Sequence, residues 1–236
     1  MSKGTLYLIP TIVSDDTQAQ VIPAQVRDVL PNIRYFLAEN VRTARRYLSS
    51  LKVYDSIENL KIEVLDKDTE YSQLDGLFTL VLNGQNVGIL SESGCPGVAD
   101  PGSLAVRFAH QHQINVVPLV GPSSILLALM ASGLNGQRFA FHGYLPIEAK
   151  EASKTIKEFE KESKQKNQTQ IFIETPYHNN NVFTVLKANL GENVLLCVAS
   201  DLTGTNEFIK TQSVKKWKEN QHEWKKVPTV FLFLAS

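Results

Sequence analysis

The sequence predicts an α/β fold, on two observations. Short apolar, β-branched runs recur along the chain, and helical patterns fill the gaps between them. Runs that are apolar almost throughout fit strands buried on both faces, as in parallel sheets covered by crossover helices. In order they are TLYLIPT, IRYFLAEN, FTLVLNGQNVGILSE, INVVPLVG, TQIFIETP, NVLLCVAS and VPTVFLFLAS. The expected helices are VIPAQVRDVL, VRTARRYLSSL, PGSLAVRFAHQH, PSSILLALMASG, EASKTIKEFEKESKQ and NNVFTVLKANLG. The last closes on Gly191, where a helix commonly ends in the left-handed conformation. Near VVPLVGPSS a strand passes through a Pro/Gly turn into a new helix. Two α/β domains are therefore expected, 1–118 and 119–236.

Composition narrows the function. With 236 residues, 43% hydrophobic and 20% charged, the chain reads as globular. No apolar run approaches the roughly 20 residues that span a bilayer, and MSKGTLYLIPT lacks the apolar core of a signal segment. A cytoplasmic location and no membrane partner are expected. Cys95 and Cys197 form neither a disulfide framework nor a metal pair, and the histidines at 110, 112, 142, 178 and 222 are isolated or point to different faces, so no metal is expected. Lys plus Arg equals Asp plus Glu at 24 each, which gives the chain no overall field for polyanions. The acids and lysines of EAKEASKTIKEFEKESKQKNQTQ are mixed in sign and read as a solvated helix face.

Candidate chemistry sits in the loops that follow the apolar runs, because open parallel sheets bind ligands beyond their carboxyl ends. Such loops are PTIVSDD, AENVRT, SESGCPGVADPG and VGPSS. In the third, Gly94 and Gly97 permit positive φ or close backbone approach, while Pro96 and Pro101 stiffen the chain. Glu92 and Asp100 could accept from an ammonium or hydroxyl group, and Asp100 could equally cap the next helix. Cys95 has no neighbouring histidine or cysteine to activate it. Ser123 and Ser124 could cap the helix opened by VGPSS and offer polar groups to an anionic ligand end. Tyr177 and His178 of ETPYH follow another strand, where they either touch a ligand or pack the loop. Phosphate-loop, dinucleotide and esterase motifs are missing from the sequence.

The ordered set LYLIPT, AENVRTARRYL, GILSESGCPGVADPG, VVPLVGPSSILLALMASGL with RFAFHGYLP, and IFIETPYH resembles the tetrapyrrole (corrin/porphyrin) methylase superfamily. Within it the similarity is strongest to the branch of small-subunit ribosomal RNA cytidine 2′-O-ribose methyltransferases. The resemblance implies two α/β domains with S-adenosylmethionine bound in the cleft between them, and a homodimer. It also implies cofactor contacts from Ile12, from Ser93, Gly94, Cys95 and Val98 largely through the backbone, from Ser123 and Ser124, and from Asp201. Glu39 and Asp100 are the candidates for organising the methyl acceptor.

This sequence departs from the branch at several places. The branch carries P-I-G-N, A-E-D-T-R, E-S-P-H-R, A-R-E-L and a K-G-E lead into the last strand. Here those positions read TIVSDD, AENVR, ETPYH, ASDL and KKVPTVF. Asp15 or Ser14 takes the asparagine position, Asn40 replaces an acid, and His178 stands for an arginine. The resemblance implies ribosomal RNA as the acceptor, and these departures keep a tetrapyrrole or other small molecule as the alternative. A diverged module that binds S-adenosylmethionine without turnover is the reading from a different class.

Overall fold

The computed structural model describes residues 2–218 and 227–236. His222 and the lysine pair that opens KKVPTVF lie outside them. The chain divides into two compact units, Met1–Ser123 and Ser124–Ser236. Residues 1–123 carry 10 Lys or Arg against 13 Asp or Glu, and residues 124–236 hold the remaining 14 against 11. The neutral total thus averages an acidic and a basic unit.

In the first unit the elements run β1 (Thr5–Ile9), α1 (Gln18–Val21), α2 (Ala24–Val29), β2 (Tyr35–Ala38), α3 (Val41–Ser50), β3 (Lys61–Val64), α4 (Leu74–Leu77), α5 (Thr79–Leu82), β4 (Val87–Leu90), α6 (Gly102–Gln111) and β5 (Asn115–Pro118). The five strands pair in parallel in the order β3-β2-β4-β1-β5. Their side chains alternate between two cores. Ile9, Phe36, Ala38 and Leu90 join one cluster, while Leu6, Tyr35, Leu37, Val87 and Ile89 join the other. Burial on both faces explains why β1, β2 and β4 read as unbroken apolar runs.

Two expectations fail in this unit. FTLVL was expected to belong to a strand, yet Thr79–Leu82 is helical. Leu74, Phe78 and Val81 are all fully buried, and their spacing of four and three lines one helical face. VIPAQVRDVL does not form one helix, because it breaks ahead of Pro23 into α1 and α2. Proline at that point lacks the N–H that a continuous helix needs.

The second unit contains α7 (Ser124–Ser132), β6 (Phe139–Tyr144), α8 (Ala149–Lys166), β7 (Thr169–Glu174), α9 (Asn179–Asn189), β8 (Leu195–Ser200), β9 (Phe208–Ser213) and β10 (Thr229–Leu234). The sheet order is β6-β7-β10-β8-β9. Among the described residues of this unit, only β6 and β7 run in parallel; β7 with β10, β10 with β8, and β8 with β9 are antiparallel. The all-parallel expectation is thereby corrected. Phe172, Phe231, Phe233, Leu196 and Val198 supply the core against α8 and α9. Gly191 lies beyond α9 without a left-handed φ. A Cβ there would sit 2.8 Å from Glu160 Oε1, whose carboxylate accepts the Gly191 N–H, so the flexible glutamate would have to shift.

Candidate functional site

At the carboxyl edge of the first sheet, the loops after β1, β4 and β5 are held together by hydrogen bonds to main-chain carbonyls. The Thr11 N–H donates to the Gly94 carbonyl at 2.8 Å, and Ser91 Oγ donates to the same oxygen at 3.0 Å. Cys95 Sγ donates to the Pro122 carbonyl at 3.3 Å. Gly94 and Gly97 have φ of +76° and +83°, the region where side chains are strained. Asp100 Oδ1 accepts from the N–H groups of Gly97 at 2.6 Å and Gly102 at 2.8 Å, which binds the far end of the loop to the start of α6.

Gly121 makes a second close contact. A Cβ on it would lie 2.0 Å from Pro10 Cβ. Gly121→Ala is expected to destabilise the protein by about 1–3 kcal/mol, the usual range for forcing extra volume into packed space. Denaturant melts of the two proteins test this, and equal midpoints would refute the contact.

A cavity of about 100 Å³ opens in this edge. Thr11, Ile12, Val13 and Asp15 line it from the β1 loop, Ala38 from the end of β2, Thr43, Ala44, Arg46 and Tyr47 from α3, and Ser91, Glu92 and Ser93 from the β4 loop. Tyr47, buried, donates its hydroxyl to the Pro10 carbonyl at 2.7 Å, and burial raises its pKa. The amino end of α3 is fixed by Asn40, whose Oδ1 accepts from the N–H groups of Arg42 at 2.9 Å and Thr43 at 3.2 Å. Asparagine and aspartate cap helices about equally well, so the AENVR departure preserves the local structure.

Acids gather around Glu39 at this edge. Burial first, then the charges of Asp100, Glu92 and Asp66, push the Glu39 carboxyl above the ordinary carboxylate value. Asp100 is also raised by burial, against the pull of its two N–H donors. Burial and then Asp100 raise the Cys95 thiol, the opposite of what an activated nucleophile needs. These features fit S-adenosylmethionine, a cation with an ammonium and a ribose diol. Acids can meet its charge and hydroxyls, and the backbone-held glycine loop admits close approach.

The expected residues distribute as follows. Ile12 and Ser93 line the cavity, Gly94 and Cys95 hold the loop, and Val98 stands exposed on it. Glu39 directly follows β2 and interacts electrostatically with Asp100. Ser123 ends the first unit, whereas Ser124 and Asp201 belong to the second, described by itself. Ser124 is the first residue of α7. Asp201 has φ of 49° and accepts from the Asn206 N–H at 2.8 Å, so its carboxylate builds the turn after β8. Thr11, Ser91, Tyr47 and Gly121 were not singled out from the sequence. Their signal is contact between distant segments. Among the described residues, no cluster of His, Cys, Asp or Glu could hold a metal, and no helix is long and apolar enough to cross a membrane.

Comparison with known proteins places the chain. Residues 17–217 match the family of Tetrapyrrole (Corrin/Porphyrin) Methylases. Ribosomal RNA small subunit methyltransferase I of Escherichia coli O157:H7 is 30% identical over 88% of this chain and 68% of its own length. The protein of that name from Buchnera aphidicola subsp. Schizaphis graminum is 28% identical over 97% of this chain and 78% of its own. The crystal structure of the methyltransferase CobJ shares the fold, with a TM-score of 0.64 at 16% identity, covering 99% of this chain and 95% of that one. With both the family match and the fold extending over most of its length, the chain belongs to the tetrapyrrole (corrin/porphyrin) methylases and is a methyltransferase that uses S-adenosylmethionine.

Proposed function

We propose that the protein methylates small-subunit ribosomal RNA on a ribose 2′-hydroxyl. The observation that carries this reading is the extent of similarity to ribosomal RNA small subunit methyltransferase I, which reaches 97% of this chain. The division of charge supports it, since the basic excess of residues 124–236 favours phosphates and the acids of the first unit favour a cationic donor.

S-adenosylmethionine supplies an electrophilic methyl group, and the loop Ser93 to Val98 with Ile12 holds it; Ser123, Ser124 and Asp201 complete the proposed cofactor set. Displacement at a methyl demands alignment above all. Glu39 is the proposed proton acceptor for the ribose hydroxyl, and its raised basicity suits that task. Asp100 keeps the donor loop in place through Gly97 and Gly102. The assignment is tested by mapping ribose methylation in ribosomal RNA after gene deletion and after return of the gene. One 2′-O-methyl mark should vanish and reappear, whereas an unchanged map would remove RNA as the acceptor.

A cytoplasmic homodimer is part of the same reading. On α7, Leu126 and Met130 are 50% and 78% exposed and one helical turn apart, an apolar surface suited to a second copy. Met130→Glu is expected to halve the mass measured by light scattering, and a dimer that persists would move the interface elsewhere.

A further inference from the structure

The second unit holds a cavity of about 130 Å³ at the carboxyl ends of the parallel pair β6 and β7. Leu145, Pro146, Ile147, Val182 and Val185 give it apolar walls, and Glu174, His178 and Asn181 give it a polar edge. The Glu174 side chain is only 11% exposed. Its Oε1 accepts the Thr175 N–H at 2.6 Å and lies 3.9 Å from His178 Nδ1. Beside the cavity, Tyr144 and Tyr177 are 58% and 78% exposed, far more than large aromatic side chains usually are.

The chemistry of the lining selects among occupants. An apolar side chain would offer the Glu174 carboxylate no donor beyond the Thr175 N–H, and an anion would be repelled by it. A space of about 130 Å³ between apolar walls suits a flat ring. From these residues we infer that the cavity receives a nucleobase of the acceptor RNA, with Glu174 accepting from an exocyclic amino group. Apolar walls hold the ring faces, as proteins do with unstacked bases. Tyr144 and Tyr177 offer stacking surfaces to its neighbours. A carboxylate only accepts, so amino-bearing bases are preferred over uracil. The inference rests on the RNA reading above.

The test follows the methyl groups of Ala149, Ala152, Val182 and Val185 by NMR in the full chain as cytidine or uridine monophosphate is added. Cytidine monophosphate should shift these signals saturably and bind at least fivefold more tightly than uridine monophosphate. Glu174→Gln, whose amide also donates, should bring the two level. Ala149→Trp, at the exposed start of α8, should weaken cytidine monophosphate at least tenfold with S-adenosylmethionine affinity unchanged; Asn181→Trp serves if that variant does not fold. Unmoved methyl signals, or shifts that survive the filling variants, overturn the pocket. RNA methylation without nucleotide binding would retire the pocket and leave the RNA reading standing. Nucleotide binding without any RNA methylation would retire the RNA reading alone.

Discussion

Replacing Gly94 by valine is expected to weaken S-adenosylmethionine binding ~5- to 150-fold in a protein that still folds. Gly94 has φ of +76°, and a Cβ there would already approach the Pro122 carbonyl to 3.4 Å. A β-branched residue in that conformation costs about 1–3 kcal/mol, at roughly 1.4 kcal/mol per factor of ten in affinity. The strain can be relieved only by moving a loop whose carbonyl is pinned by Thr11 and Ser91. Displacement of the loop then removes its main-chain groups from the ligand. Calorimetry with the folded variant decides the matter, because unchanged affinity would place the donor site elsewhere.

Glu39→Gln carries the second large effect. Turnover on RNA should fall about 10²- to 10⁴-fold, the usual contribution of a positioned acid or base, with S-adenosylmethionine affinity retained. Stability should move the other way. Burial and three neighbouring acids raise the Glu39 carboxyl in the folded protein, so the folded state holds that proton to higher pH than the unfolded chain does. Stability contributed by the proton is present below the ordinary carboxylate value and is lost as pH rises through the raised folded one. At neutral pH the wild type therefore carries a penalty that glutamine lacks. Melts should show the variant more stable at neutral pH, with its advantage fading in acid. A variant that turns over at the wild-type rate would remove Glu39 from the chemistry, whatever its stability.

How much of this was legible beforehand follows from where each signal resides. Runs such as TLYLI and VGIL are buried on both faces, so the first sheet and the loop after it could be read directly. The paired glycines of that loop announced its positive φ angles. FTLVL misled because a short apolar run does not distinguish a buried helix from a buried strand. KIEV of β3, FAFHGY of β6 and FIKTQS of β9 passed unnoticed because none of them contains a fully buried residue. Strand direction in the second unit depends on pairing across the chain, which local pattern does not encode. The same holds for Tyr47 on Pro10 and for Gly121 against Pro10, contacts that link segments 37 and 111 residues apart.

The strand order of the first unit also bears on how the protein is made. Strand β1 is flanked by β4 and β5, with Leu6 opposite Val87 and Val116. A ribosome must therefore release 90 of the unit's 123 residues before the first strand gains either neighbour, and the donor loop follows directly after. Such long-range closure is slow, and its intermediates expose unpaired edges. Once closed, the unit gains stability from any ligand bound only by the assembled form. The cellular supply of the methyl donor would then help determine how long newly made chains survive.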